Sequence, residues 1–192
     1  MSLETSVNYF KKQDLNGEEI IKLTNKAPVL YSDLAKYKTI DDLLGKEGYV
    51  IILYQTSSKT TGHFVAITRN DKTGRIRYAD SYAIRNPDAE IQYTPYDQSL
   101  PKYLSALLEG TNFESNTVDY QSSQKGVSTC GRWSSIFCLL RNCELSQIST
   151  FFKGNKGGFL QNSDNCATLI TMWALNDITQ FLSHLSQTGG KF

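Results

Sequence analysis

The order of the hydrophobic patterns predicts an α+β fold. Strand-like apolar runs are confined to residues 49–80, and the three- and four-residue spacings typical of helices lie on either side. The chain has no internal repeat, low-complexity block or long linker. Its 192 residues, 40% hydrophobic and 20% charged, are therefore expected to form one domain with a substantial core. It divides into an N-terminal helical segment (1–47), a central core (48–145) and C-terminal helices with a tail (146–192). The expected architecture is a central, mostly antiparallel sheet with helices packed on it.

Each element has its own signal. Asn16-Gly17-Glu18-Glu19 opens one short helix, and Thr39-Ile40-Asp41-Asp42 opens another that stops near Gly45. Tyr49–Gln55 is a continuous apolar run with β-branched residues, the pattern of a buried strand. His63–Thr68 reads as a second strand and Arg75–Asp80 as a third, joined by the turn Asn70-Asp71-Lys72-Thr73-Gly74. Ser81–Gln98 is a polar loop region. Pro101–Glu109 reads as a helix capped by Ser99, and Phe113–Tyr120 as a further strand. Cys130–Asn142 is an amphipathic helix, with Trp133, Ile136, Phe137 and Leu140 on one face. Asp164–Leu185 is predicted as a long, largely buried helix.

Several function classes are excluded by composition. A net charge of +1 gives no global signal for a polyanion partner, although 20 Lys and Arg residues leave room for a local patch. Residues 1–10 lack the apolar core of a signal peptide, and the apolar runs are too short to span a bilayer. The expectation is a monomer with no membrane association, intracellular and not secreted. The four cysteines form no Cys-x-x-Cys pair and there are two histidines, so neither a structural zinc site nor any other metal or cofactor is expected. Cys138, Cys143 and Cys166 lie in apolar helical contexts and read as small buried hydrophobes.

Cys130 differs. A small, polar, glycine-containing loop, Gln121–Thr129, runs into it and a helix starts at once. Unpaired N–H groups and the helix dipole at that position favour a thiolate, the form that attacks carbonyls. His63 and Asp80 sit on either side of the Asn70–Gly74 turn, so an antiparallel hairpin brings them together at its open end. A carboxylate beside an imidazole fixes its tautomer and stabilises its protonated form. Gln124, six residues before Cys130, can offer an amide N–H to an oxyanion alongside the Cys130 backbone N–H; Gln121 is the competing residue.

The order Gly62-His63-Phe64, Asp80-Ser81, Gln124-x-Gly126-x-x-x-Cys130-Gly131 resembles the adenovirus-type (adenain-like) cysteine proteases, of the same clan as the SUMO-processing proteases. The resemblance covers residues 48–145 and is strongest in the loop and helix around Cys130. It implies an α+β protease fold with Cys130 as nucleophile at a helix N-terminus, His63 as general base, Asp80 as its orienter and Gln124 in the oxyanion hole. Gly62, Phe64, Gly126 and Gly131 would contact substrate. Phe64 stands where the family often has Trp, and Thr129 where SUMO proteases have an acidic residue. Both departures lean toward the viral maturation branch.

The implied activity is an endopeptidase that processes viral capsid or virion precursor proteins, preferring small residues, glycine above all, before the scissile bond. The implied source is a double-stranded DNA virus, a virophage or a polinton-like element. The location would be the virion or a viral factory in host cytoplasm. Whether an activating peptide or nucleic acid is needed stays open. Gly189-Gly190 and Gly157-Gly158 are two sites for self-cleavage, against the ordinary use of glycine in a tail and a turn. The alternatives are a deubiquitinase- or SUMO-protease-like enzyme acting on host conjugates, and a non-catalytic capsid-associated interaction protein.

Overall fold

The structure is a computed structural model that describes residues 2–56, 58, 61–95, 98–154 and 157–176. Helices α1 (Leu3–Phe10) and α2 (Gly17–Thr24) precede a two-residue strand β1 (Val29–Leu30), a 3₁₀ turn (Tyr31–Lys36) and α3 (Ile40–Leu44). The strands β2 (Tyr49–Tyr54), β3 (His63–Arg69) and β4 (Ile76–Ala79) follow. After a 3₁₀ turn (Ala89–Tyr93) come α4 (Tyr103–Leu108), β5 (Glu114–Ser115), α5 (Cys130–Leu139), α6 (Leu145–Lys153) and α7 (Ser163–Leu175).

The strands form one sheet in sequence order. The three long strands pair antiparallel, as the hairpin signals require. The edge strands β1 and β5 each pair parallel to their neighbours over two residues, so the sheet is mixed, with the antiparallel ladders of β2, β3 and β4 as its larger part. Both faces of the sheet are covered. On one, Ile51, Leu53, Phe64, Ala66 and Ala79 pack with α2, α5, α6 and α7 side chains. On the other, Val50, Ile52, Val65, Ile67 and Tyr78 pack with residues of the Tyr31–Lys36 turn, α3 and α4. Burial on both faces explains why β2 and β3 read as continuous apolar runs without alternation.

Helix α5 is not amphipathic in place. Cys130 to Cys138 are all buried, because the sheet lies on one side of the helix and α2 and α7 on the others. The predicted strand Phe113–Tyr120 is reduced to Glu114–Ser115. There Glu114 accepts from Arg77 Nε and Nη2 at 3.0 and 2.9 Å, an ion pair that ties β5 to β4. The C-terminal helix runs Ser163–Leu175; its predicted continuation through residues 177–185 lies outside the described residues, as do His184 and Gly189-Gly190. Among the described residues no helix is long and apolar enough to cross a membrane.

The caps divide into local and tertiary ones. Asn16 and Thr39 form capping boxes with Glu19 and Asp42, as the sequence predicts. Helix α4 is different: its N-cap, Lys102, supplies no side-chain bond, and Ser99 does not cap it. The first-turn amides of Leu104 and Ser105 instead donate to the buried carboxylate of Asp88 at 3.2 and 2.9 Å. Asp88 also accepts from the buried Tyr31 hydroxyl at 2.7 Å. A cap drawn from a residue this far away in the chain leaves no local signature.

Asp88→Ala strands a buried phenol and two helix amides together. It should lower the unfolding free energy by about 2–4 kcal/mol, whereas Ser99→Ala, at an exposed site, should stay within about 0.5 kcal/mol of wild type. Urea denaturation of the two variants checks this.

Candidate active site

Helix α5 starts beside the first residue of β3. Gly131, in its first turn, fits so closely that an added Cβ would lie 3.3 Å from Leu15 Cβ and 3.4 Å from Phe64 Cδ2. This close approach sets Cys130 against the open end of the β2–β3–β4 hairpins, with its Sγ 3.8 Å from the Gly62 carbonyl. Gly62 is obligatory there, since a Cβ would fall 1.8 Å from the Tyr54 carbonyl oxygen. Cys130 is itself 7% exposed.

The structure brings His63 and Asp80 together: Nε2 lies 2.8 Å from Oδ2, with Asp80 wholly buried. They are not directly opposite one another, however. The register pairs Ala66 with Ala79 and Ile67 with Tyr78. Extended past the last pair, that register brings Tyr82 opposite His63, and Asp80 is the diagonal neighbour. Tyr82 accordingly stacks on the imidazole, with ring centroids 5.4 Å apart and an interplanar angle of 26°. The connection between the paired Arg69 and Ile76 spans residues 70–75, one residue more than Asn70–Gly74, and the register lies two residues away from a direct His63–Asp80 pairing.

Asp80 is held on every side. Its Oδ1 accepts the Tyr82 amide at 2.7 Å. Its own backbone N–H donates to Asn116 Oδ1 at 2.9 Å, and Asn116 Nδ2 returns a bond to its carbonyl at 2.7 Å. Burial pushes the His63 pKa down, but hydrogen bonds to Asp80 and Cys130, together with their negative charges, outweigh it and hold the pKa well above the usual histidine range. With Nε2 engaged by Asp80, Nδ1 is the nitrogen left for the Cys130 sulfur.

The loop before Cys130 is anchored from α7. Asp164, 1% exposed, accepts from the Thr129 hydroxyl at 2.5 Å, Trp133 Nε1 at 3.1 Å and the Ser122 amide at 2.8 Å. Because Thr129 spends its hydroxyl on Asp164, it makes no cap to α5. The first amides of that helix therefore stay uncapped beside Cys130, where they favour negative charge.

Sequence reasoning placed the oxyanion amide at Gln124, with Gln121 as rival. Gln124 is exposed on the loop, whereas Gln121 is buried and lines the cleft with Cys130. Gln121 Oε1 accepts from Ser81 Oγ at 2.8 Å, and Nε2 donates to the Tyr82 hydroxyl oxygen at 2.9 Å, with a longer 3.4 Å contact to the Val127 carbonyl. The Tyr82 pKa is pushed up to about 12, by burial first and then by nearby negative charge at Cys130, Asp164 and Asp80. Of the four glycine and phenylalanine positions predicted to touch substrate, Gly62 lines the cleft. Phe64 and Gly131 are in the core, and Gly126 lies on the exposed loop at φ +85°.

The cleft has a volume of about 390 Å³. Residues that the sequence did not single out also line it: Asp14, Thr56, Thr61, Tyr82, Glu90 and Tyr93 among them. Glu90 is buried, and its pKa is raised, chiefly by burial and also by Asp80, against the pull of His63. His63, Asp80 and Glu90 each place one ligand atom within 4.8 Å of the others, the group of described residues whose atoms could hold a metal ion. His63 Nε2 is already committed to Asp80 in the arrangement present. The remaining cysteines differ in setting: burial pushes the Cys138 thiol up strongly, and Cys166 Sγ lies 3.1 Å from the Leu160 carbonyl.

A raised imidazole pKa has a definite sign in stability. The bound proton contributes stability fully below the unfolded value of 6.5 and loses it as pH rises through the folded value. The unfolding free energy of wild type should therefore decline with pH above 6.5, and that of His63→Gln should be flat by comparison. Histidine ring NMR should show His63 still protonated above 6.5 and titrating lower in Asp80→Asn.

No protein-family model matches the chain. It is 30% identical over 176 residues to "Uncharacterized protein V9" of Sputnik virophage, an alignment covering 86% of this chain and 98% of the virophage protein.

Proposed function

The chain belongs to the family of the uncharacterized protein V9 of Sputnik virophage, and we propose that it is a cysteine endopeptidase. The observation that carries this reading is the buried couple of His63 and Asp80, joined at 2.8 Å, in one cleft with Cys130 at an uncapped helix N-terminus. A nucleophile, a base and an orienter thus meet in an open cleft.

In the proposed reaction His63 takes the Cys130 proton, and the thiolate attacks the scissile carbonyl carbon. Asp80 keeps the ring oriented and offsets the imidazolium charge. The tetrahedral oxyanion is received by the Cys130 backbone N–H and by Gln121, whose second amide hydrogen makes only the long contact to Val127. The imidazolium then protonates the leaving amine, and water, deprotonated by His63, releases the acyl group from sulfur.

The resemblance to adenain-like proteases and the virophage relative together support a substrate class: structural precursor proteins of a viral particle, cut after small residues. Purified chain incubated with candidate capsid precursors, with mass mapping of new termini, tests it. Cys130→Ala and His63→Ala should each abolish cleavage, since the groups act as a unit, and Asp80→Asn should cost less. Unchanged cleavage by Cys130→Ala would overturn the reading.

The oxyanion assignment has its own outcome. Gln121→Ala, with folding checked by circular dichroism, should lower kcat by about 10²–10³ with little change in KM. Gln124→Ala should be mild. The reverse ranking would return the role to Gln124.

A further inference from the structure

Glu90 is a buried carboxylate in the cleft wall that the proposed chemistry does not use. It is 7% exposed and borders the same cleft as Cys130 and His63. Among the described residues it makes no hydrogen bond and no ion pair. Its neighbours sharpen the point: Asp80 serves His63 and is covered by the Tyr82 amide, whereas no described residue donates to the Glu90 carboxylate. A mostly buried carboxylate that meets the cleft without a protein donor has its acceptor capacity free for a ligand.

The rest of the cleft matches one kind of ligand. Asp14 stands exposed on its rim, and among the described residues neither lysine nor arginine lines it. Tyr93, 62% exposed, and Tyr82 add aromatic faces of the sort that attract cations. We propose that Glu90 forms a cation subsite of the substrate cleft, taking a lysine or arginine side chain of the polypeptide substrate close to the scissile bond. The proposal rests on the endopeptidase reading for its substrate class. An incoming ammonium or guanidinium would convert the unpartnered carboxylate into a charge-assisted pair, and Asp14 would favour the same charge at the entrance.

The test uses the full chain carrying Cys130→Ala, so that binding is read without turnover. Acetylated, amidated octapeptides with a central Gly-Gly in an alanine background carry lysine at each position in turn. They are compared with norleucine and N-acetyl-lysine at the same position by calorimetry. Lysine at one position should bind about tenfold to a hundredfold tighter than either neutral analogue. Adding Glu90→Gln should collapse that ratio toward one. Equal affinity for lysine and norleucine at every position overturns the subsite, whether or not Glu90→Gln folds. A Glu90→Gln chain that weakens lysine and norleucine peptides alike also overturns it, and leaves Glu90 as support for His63. The same peptides are then given to the wild-type chain. Lysine-selective binding without cleavage would sink the endopeptidase reading and keep the subsite; cleavage without lysine selectivity would do the opposite.

Discussion

The packing of α5 on β3 is the constraint from which the site follows. A helix buried from Cys130 to Cys138 cannot slide or roll without opening core on several sides. Gly131 lets it come within contact of Phe64 and Leu15, and Gly62 lets the chain entering β3 pass close to the end of β2. Two missing side chains thus set the distance between the Cys130 sulfur and the strand that carries His63. Because both elements belong to the same core cluster, the relation between Cys130 and His63 is held by apolar burial rather than by the polar groups themselves.

Two buried carboxylates complete the positioning, each from a different direction. Asp80 faces His63 from β4 and is gripped by Asn116 and the Tyr82 amide. Asp164 reaches from α7 to the loop that leads into Cys130, where it takes the donors of Ser122, Thr129 and Trp133. Diverting the Thr129 hydroxyl to Asp164 has a second effect: the amides of the first α5 turn lose a cap that would have competed with a developing negative charge. One contact therefore both anchors the loop and leaves donors free beside Cys130.

How much of this was legible depends on whether a residue's partner is near in sequence. The α+β order, the central hairpins, the capping boxes of α2 and α3 and the helix starting at Cys130 all arise from local patterns and are readable. The neighbourhood of His63 and Asp80 was readable from the hairpin, but their diagonal relation was not, because the register depends on how the Asn70–Gly74 turn closes. Asp88 capping α4, Asp164 anchoring the nucleophile loop and Glu90 in the cleft wall each depend on contacts between distant segments. A lone acidic residue in a polar stretch carries no sign of burial. The choice between Gln121 and Gln124 turned on spacing, which cannot tell a side chain buried against Ser81 and Tyr82 from one left exposed three residues later.

The three buried acids near the cleft also differ in how their charge is met, and this difference has consequences for function. Asp164 is met by neutral donors alone, so its charge is stabilised by fixed dipoles and does not depend on the proton count of a neighbour. Asp80 is met by neutral donors and by His63, so its environment changes when the imidazole gains or loses its proton. Glu90 has no donor and feels His63 and Asp80 with opposite signs. A group that no fixed donor stabilises is the one whose charge a ligand can alter most. A structural role therefore falls on Asp164, and in the proposed chemistry proton handling falls on Asp80 with His63. Glu90 is the acid left with unspent capacity, in the wall of the cleft that Cys130 also lines.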